Sequence, residues 1–220
     1  MNFRALVSEY VGTAIFVAAM VGSGISGSNL SGDLQVVGIA NALATALVLG
    51  VLILTLGSVS GGHFNPVVSM AVAIQGGFKP AKVLPYLAAQ FAGAVSGAAL
   101  SNAMFGGALI QVSSKGMTSG GAVLAEVVAT AGLVFIVLML VKVKRTELIA
   151  VALPAWIAAG SFFTSSGAFA NPAVTVGRIF TDSFAGIGPM SVPTFVLAQL
   201  LGAAIGIVLA KTLITSKKKS

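Results

Sequence analysis

Six stretches of the chain stay apolar for about the 20 residues that a helix needs to cross the hydrocarbon core of a bilayer. They lie near Leu6–Ile25, Val36–Leu56, Ala81–Met104, Gly121–Val141, Leu148–Thr164 and Val192–Ile214, with polar or basic residues between them. Two shorter apolar pieces remain, Asn65–Ile74 and Asn171–Phe180. At roughly 1.5 Å rise per residue each reaches only about halfway across. Both open with Asn-Pro. Asparagine is a favoured N-cap, and proline loses nothing in a first turn, where its missing N–H has no intrahelical partner. The pattern therefore predicts an all-α membrane domain over 1–220, with six transmembrane helices and two half-helices starting at Asn65 and Asn171.

The polar markers repeat. Glu9-x-x-Gly12-Thr13 returns as Glu126-x-x-Ala129-Thr130. Asn65-Pro66-Val67-Val68-Ser69 returns as Asn171-Pro172-Ala173-Val174-Thr175. Ala89-Gln90-x-x-Gly93-Ala94 returns as Ala198-Gln199-x-x-Gly202-Ala203, and Gly97 and Gly206 each follow their glutamine by seven residues. The chain thus divides into repeats of about 1–110 and 118–216. Each repeat carries three full spans, and an odd number of spans inserts the second repeat upside down. Inverted repeats place a permeation site near the bilayer midplane, between broken helices.

Composition agrees with a lipid-facing exterior. Hydrophobic residues make up 57% and charged residues 8% of the 220, against roughly 25% charged in soluble domains, and the mean hydropathy is +1.04. The net charge of +7 does not point to nucleic acid, because the basic residues cluster at the ends of apolar stretches. Arg4, Lys79, Lys82, Lys142, Lys144, Arg145, Lys211 and Lys217–Lys219 fall on one side, and Lys115 falls on the other. The bias of short loops puts the positive side, with both termini, in the cytoplasm; in a bacterium this is the inner membrane. The first apolar stretch has no cleavage pattern and reads as a retained span. The Lys217–Lys219 tail reads as a topology anchor.

With five acidic residues, one histidine and no cysteine, the chain offers no thiolate, metal cluster or paired acids for a membrane enzyme. No cofactor and no metal is implied. A proton- or sodium-coupled carrier needs charges near the midplane, where the markers are the neutral Asn65 and Asn171. If the half-helices enter from opposite faces, their N-termini converge, each equivalent to roughly half a positive charge. Cations and protons are repelled there, and the asparagine amides can donate to a passing solute. Glu9 and Glu126 stand within spans, where ionisable groups face the bundle interior. They are expected to accept N–H groups of the irregular backbone before each half-helix, and Gln90 and Gln199 to act as buried links between helices. The glycines and alanines let helices approach closely.

At this point the chain resembles the aquaporin / major intrinsic protein family. Ser60-Gly61-Gly62-His63-Phe64-Asn65-Pro66, Asn171-Pro172-Ala173, the Glu-x-x-Gly-Thr of the first span and the Ala-Gln-x-x-Gly-Ala segments carry the likeness. The resemblance covers the whole chain. It implies a homotetramer with one pore per subunit and passive flow of water or small neutral solutes. It also places His63 on the cytoplasmic side of the pore wall, where a proton switch is the less ordinary role.

Two departures stand out. The first motif is Asn65-Pro66-Val67, with valine for alanine. In the second, family members usually carry an arginine three residues after the asparagine, at the narrowest outer part of the pore, and this chain has Val174. Glycerol-type members usually place an aspartate next; here it is Thr175. Spacing sets the other filter positions at Thr45, Ala168 and, on the fifth span by a gap-free count, Ala159. Together these make a small, uncharged ring that favours solutes larger than water, such as polyols, urea or neutral metalloid acids including arsenic species. Phe162, Phe163 or Phe169 narrows it if that register is wrong. The alternative is a channel mainly for water. Arg178 follows Val174 by one turn. Its plain reading is a surface ion pair with Asp182, and its functional reading is a guard at the outer mouth.

Overall fold

In a computed structural model, described for residues 2–213, the chain forms eight α-helices and, among the described residues, no strand. They are α1 (Phe3–Leu30), α2 (Leu34–Ser60), α3 (Pro66–Ile74), α4 (Val83–Met104), α5 (Gly120–Lys142), α6 (Ile149–Phe163), α7 (Pro172–Gly177) and α8 (Val192–Leu213). Six are long and apolar enough to cross a membrane. This is the expected aquaporin-like architecture, six spans plus two half-helices. Ile214 and the Lys217–Lys219 tail lie outside the described residues.

Local sequence sets the ends. Asn2, Asp33 and Ser119 cap α1, α2 and α5 by accepting backbone N–H groups with their side chains, which satisfies donors with no intrahelical partner. Gly61, at φ 96°, ends α2 in a left-handed conformation that glycine adopts without strain. α1 runs five residues past its expected end at Ile25, because the polar Ser26–Ser28 stretch stays helical, with Ser28 Oγ bonding back to the Gly24 carbonyl at 2.9 Å.

The second half-helix departs most from expectation. Only Pro172–Gly177 is α-helical, and residues 178–180 tighten into a 3₁₀ turn. The carbonyls of those last residues are taken from outside. Ile187 N bonds Arg178 O at 3.2 Å, Ser113 N bonds Ile179 O at 2.8 Å, and Phe180 O accepts from Gln111 N at 3.2 Å and Asn102 Nδ2 at 2.8 Å.

The repeats pack alike. α1 lies against α4, and α5 against α8. The glycines that follow the glutamines make these crossings close. A Cβ at Gly93 or Gly97 would overlap the carbonyls of Tyr10 or Ala14, and one at Gly202 or Gly206 those of Val127 or Ala131. Small residues let helix backbones meet where lipid supplies no hydrophobic driving force. One side chain that sequence reasoning passed over, Trp156, ties α6 to α5 through Nε1 to Ala129 O at 2.9 Å.

Candidate pore and selectivity site

The half-helices meet N-terminus to N-terminus. Asn65 Nδ2 donates to Ala170 O at 2.8 Å, and Asn171 Nδ2 donates to Phe64 O at 2.9 Å. Each Oδ1 turns the other way and caps its own helix. Asn65 accepts from Val67 N at 3.1 Å, and Asn171 from Ala173 N at 3.0 Å and Val174 N at 3.3 Å. An amide nitrogen carries two hydrogens, so each asparagine caps, cross-links and keeps one N–H in hand.

The backbone before each asparagine is strained. Phe64 and Ala170 sit at φ 46° and 47°, and Ala168 at 54°, where an L side chain crowds its own carbonyl. A buried carboxylate holds each stretch. Glu9 accepts from Ser60 Oγ (2.7 Å), His63 N (3.0 Å), Phe64 N (2.7 Å) and Gln90 Nε2 (2.7 Å). Glu126 accepts from Phe169 N (2.9 Å), Ala170 N (2.9 Å) and Gln199 Nε2 (2.7 Å). The glutamines extend the links to the half-helices themselves, Gln90 to Ser69 Oγ at 3.0 Å and Gln199 to Thr175 Oγ1 at 2.8 Å.

Three cavities follow one another along the pore. The first vestibule, about 480 Å³, is walled by His63, Val68 and Val72, with Leu153 at its depth and Thr146 and Glu147 at its rim. Glu147 there is exposed and paired with Arg145 at 2.6 Å. The middle section is only about 20 Å³ and lies between Asn65, Asn171, Leu153, Ile157 and Ala168, room for about one water. The second vestibule, about 420 Å³, is walled by Lys115, Ser161, Phe169, Arg178 and Phe184. His63 and Leu153 border both the first vestibule and the middle section, and Phe169 borders both the middle section and the second vestibule.

The expected filter residues separate in this frame. Ala168 borders the middle section. Val174 is fully buried among apolar neighbours, and Thr45 is buried with an Oγ1 that finds no protein partner; neither is on a wall of these cavities. Ala159 is exposed. It lies two positions, about 200° round the helix, from Ile157 and Ser161, which do border cavities. The residue of α6 that faces Ala168 is Gly160, where a Cβ would crowd the Ala168 Cβ. The gap-free count fails because α6 stops at Phe163 and the chain covers 164–171 without helix.

Arg178 does not pair with Asp182. Its Nε donates to Ala185 O, and its guanidinium carbon lies 3.5 Å from the Phe169 ring centroid. Asp182 Oδ1 instead accepts from Ser114 N and Oγ, both at 3.1 Å. The 181–188 loop, folded back onto Arg178, removes the ion-pair geometry that a continued helix would have given. Lys115, across the vestibule, is held below the usual lysine range by burial; nearby Asp182 opposes that shift and Arg178 adds to it. His63 Nδ1 is 3.0 Å from Ser69 Oγ, and its ring packs edge-to-face with Phe78 and tilted against Tyr86. Phe169 stands in the second repeat where His63 stands in the first, two residues before the asparagine.

A sequence profile of the family described as "Major intrinsic protein" matches residues 1–158 and 143–220. The chain is 41% identical over 211 residues to the aquaglyceroporin AqpS of Rhizobium meliloti (strain 1021), covering 96% of this chain and 90% of that protein. It is 33% identical over 184 residues to the probable aquaporin AqpM of Archaeoglobus fulgidus, covering 78% and 73%. Its fold is similar to the X-ray structure of the aquaglyceroporin from Plasmodium falciparum, with a TM-score of 0.67, 20% identity, and 94% and 93% of the two chains covered. With two asparagine-capped half-helices meeting between six membrane-spanning helices, the chain belongs to the major intrinsic protein family, multi-pass membrane channels for water and small solutes and not enzymes.

Proposed function

We propose that this channel passes small uncharged solutes larger than water as well as water itself, and that it works as a homotetramer with both termini in the cytoplasm. In a bacterium it sits in the inner membrane. The first vestibule then opens inward and the second outward. The observation that carries this reading is Val174: where family members usually place an arginine, a valine is folded into the apolar core. No guanidinium reaches across the pore from that turn, and Ala168, on the wall of the middle section, adds one methyl group. A relative named as an aquaglyceroporin, 41% identical along nearly the whole chain, favours the same reading. The solutes are polyols, urea or neutral metalloid acids. The asparagine amides supply donors to their oxygens at the middle section.

A second reading, a channel mainly for water, is favoured by the middle section of about 20 Å³. Stopped-flow light scattering of proteoliposomes separates the two, with water, glycerol, urea and neutral boron and arsenic acids as the panel. The proposal expects solute flux well above empty vesicles. Val174→Arg should cut the solute-to-water permeability ratio about tenfold, or ~1.4 kcal/mol, by projecting a planar cation into a low-dielectric passage. Water flux alone in the unaltered channel would favour the second reading, and an unchanged ratio in the variant would show that a side chain longer than valine at position 174 does not restrict the pore.

A further inference from the structure

The two repeats place equivalent residues on equivalent walls. Seven positions after each half-helix asparagine stand Val72 and Arg178. Val72 lines the first vestibule and Arg178 the second. The position faces open space in both halves, and only the second half puts a charge there.

That charge is held in place without a carboxylate in ion-pair contact. The Nε–H is spent on Ala185 O, and one face of the guanidinium is stacked on Phe169. Among the described residues, no carboxylate pairs with it and no other hydrogen bond occupies its Nη groups. No acidic residue lines this vestibule, whose other charged wall residue is Lys115. Asp182 is engaged by Ser114, and both oxygens of Glu126, beneath Phe169, already accept N–H groups. Phe169, the platform, is also the residue that separates this vestibule from the middle section. The fork of Nη donors therefore stands at the entrance to the narrow part of the pore.

We propose that Arg178 is the channel's cationic selectivity residue, displaced one helical turn outward from Val174. It recognises neutral solutes that carry two neighbouring oxygens, and it repels cations. A planar fork of N–H donors matches a pair of acceptor oxygens better than a single ammonium does. A solute leaving water for the narrow section exchanges hydration for these donors. A cation meets a fixed positive charge where screening is weak. This inference rests on the proposed passage of solutes larger than water and names the residue that selects them.

The test compares unaltered channel, Arg178→Gln and Arg178→Lys. Glycerol and water permeabilities are measured in proteoliposomes and sodium conductance in planar bilayers. Arg178→Gln should lower the glycerol-to-water ratio severalfold and admit a sodium conductance on the order of tenfold above the unaltered channel. Arg178→Lys should lower the ratio similarly yet keep sodium out, because it retains the charge and loses the fork. A bracing role for the 181–188 loop alone predicts no such split. Unchanged ratio and sodium exclusion in Arg178→Gln with water flux intact would overturn the proposal. Should the variants fail to fold, the unaltered channel still decides. Phenylglyoxal modification of Arg178, followed by mass spectrometry, should slow severalfold in glycerol, and modification at an unchanged rate would overturn it. If the unaltered channel passes no glycerol, the broader solute reading fails, and the sodium measurements still judge Arg178.

Discussion

The loops that lead into the two half-helices have the same backbone and different side chains. Ser60-Gly61-Gly62-His63-Phe64-Asn65 in the first repeat stands against Ser166-Gly167-Ala168-Phe169-Ala170-Asn171 in the second. In both, the residue before the asparagine is left-handed and its N–H goes to a buried glutamate. The side chains trade volume across the interface. Phe64 packs where Gly12 leaves room for its ring. The second repeat pairs the smaller Ala170 with Ala129, the equivalents of Phe64 and Gly12. The walls then diverge, His63 and Val72 against Phe169 and Arg178. The carboxylate and the capping asparagine hold the shape, which leaves the wall residues free to differ in chemistry.

The largest effect expected comes from removing that hold. Glu9→Ala and Glu126→Ala each strand several buried donors that bonded a carboxylate, each bond being worth about 1.5–3 kcal/mol. Each variant should lose at least about 3 kcal/mol. Glu9→Ala should suffer more, since Glu9 serves four donors and Glu126 three. Thermal unfolding in detergent measures this, and equal, small shifts for the two would show that the loops are held by other means.

A smaller effect tests the exchange of volume. Gly12→Ala drives a methyl group into the Phe64 ring and should cost about 1–3 kcal/mol, the usual range for overpacking. Adding Phe64→Ala copies the second repeat's pair and should recover part of that loss. A double variant no better than the sum of its parts would show that the two residues are not coupled.

The smallest effect expected is none. Neither wall carries a thiol, because the chain has no cysteine. Mercuric ion at concentrations that cap thiols should leave water and solute flux unchanged, as stopped-flow traces will show. A rapid block reversed by added thiol would contradict this.

Much was legible in the sequence. Uninterrupted apolar stretches of spanning length admit few structures in a bilayer, because every backbone polar group must be satisfied within the segment. Asn-Pro at matching places marked the half-helices, and Gly93, Gly97, Gly202 and Gly206 marked the close crossings. Glu9 and Glu126 stood out because an ionisable group inside an apolar stretch needs a polar partner. What tertiary structure decided is which residues face the pore. The helical phase of α6 depends on where that helix stops, and nothing in the 164–171 segment specifies this, so counting led to Ala159 where Gly160 faces Ala168. The partner of Arg178 was settled by the 181–188 loop, which brings the Ala185 carbonyl and the Phe169 ring to it and leaves Asp182 with Ser114. Sequence spacing determines contacts along one helix. Contacts across a turn depend on how the chain folds back, and that is set by carbonyls and rings far away in the sequence.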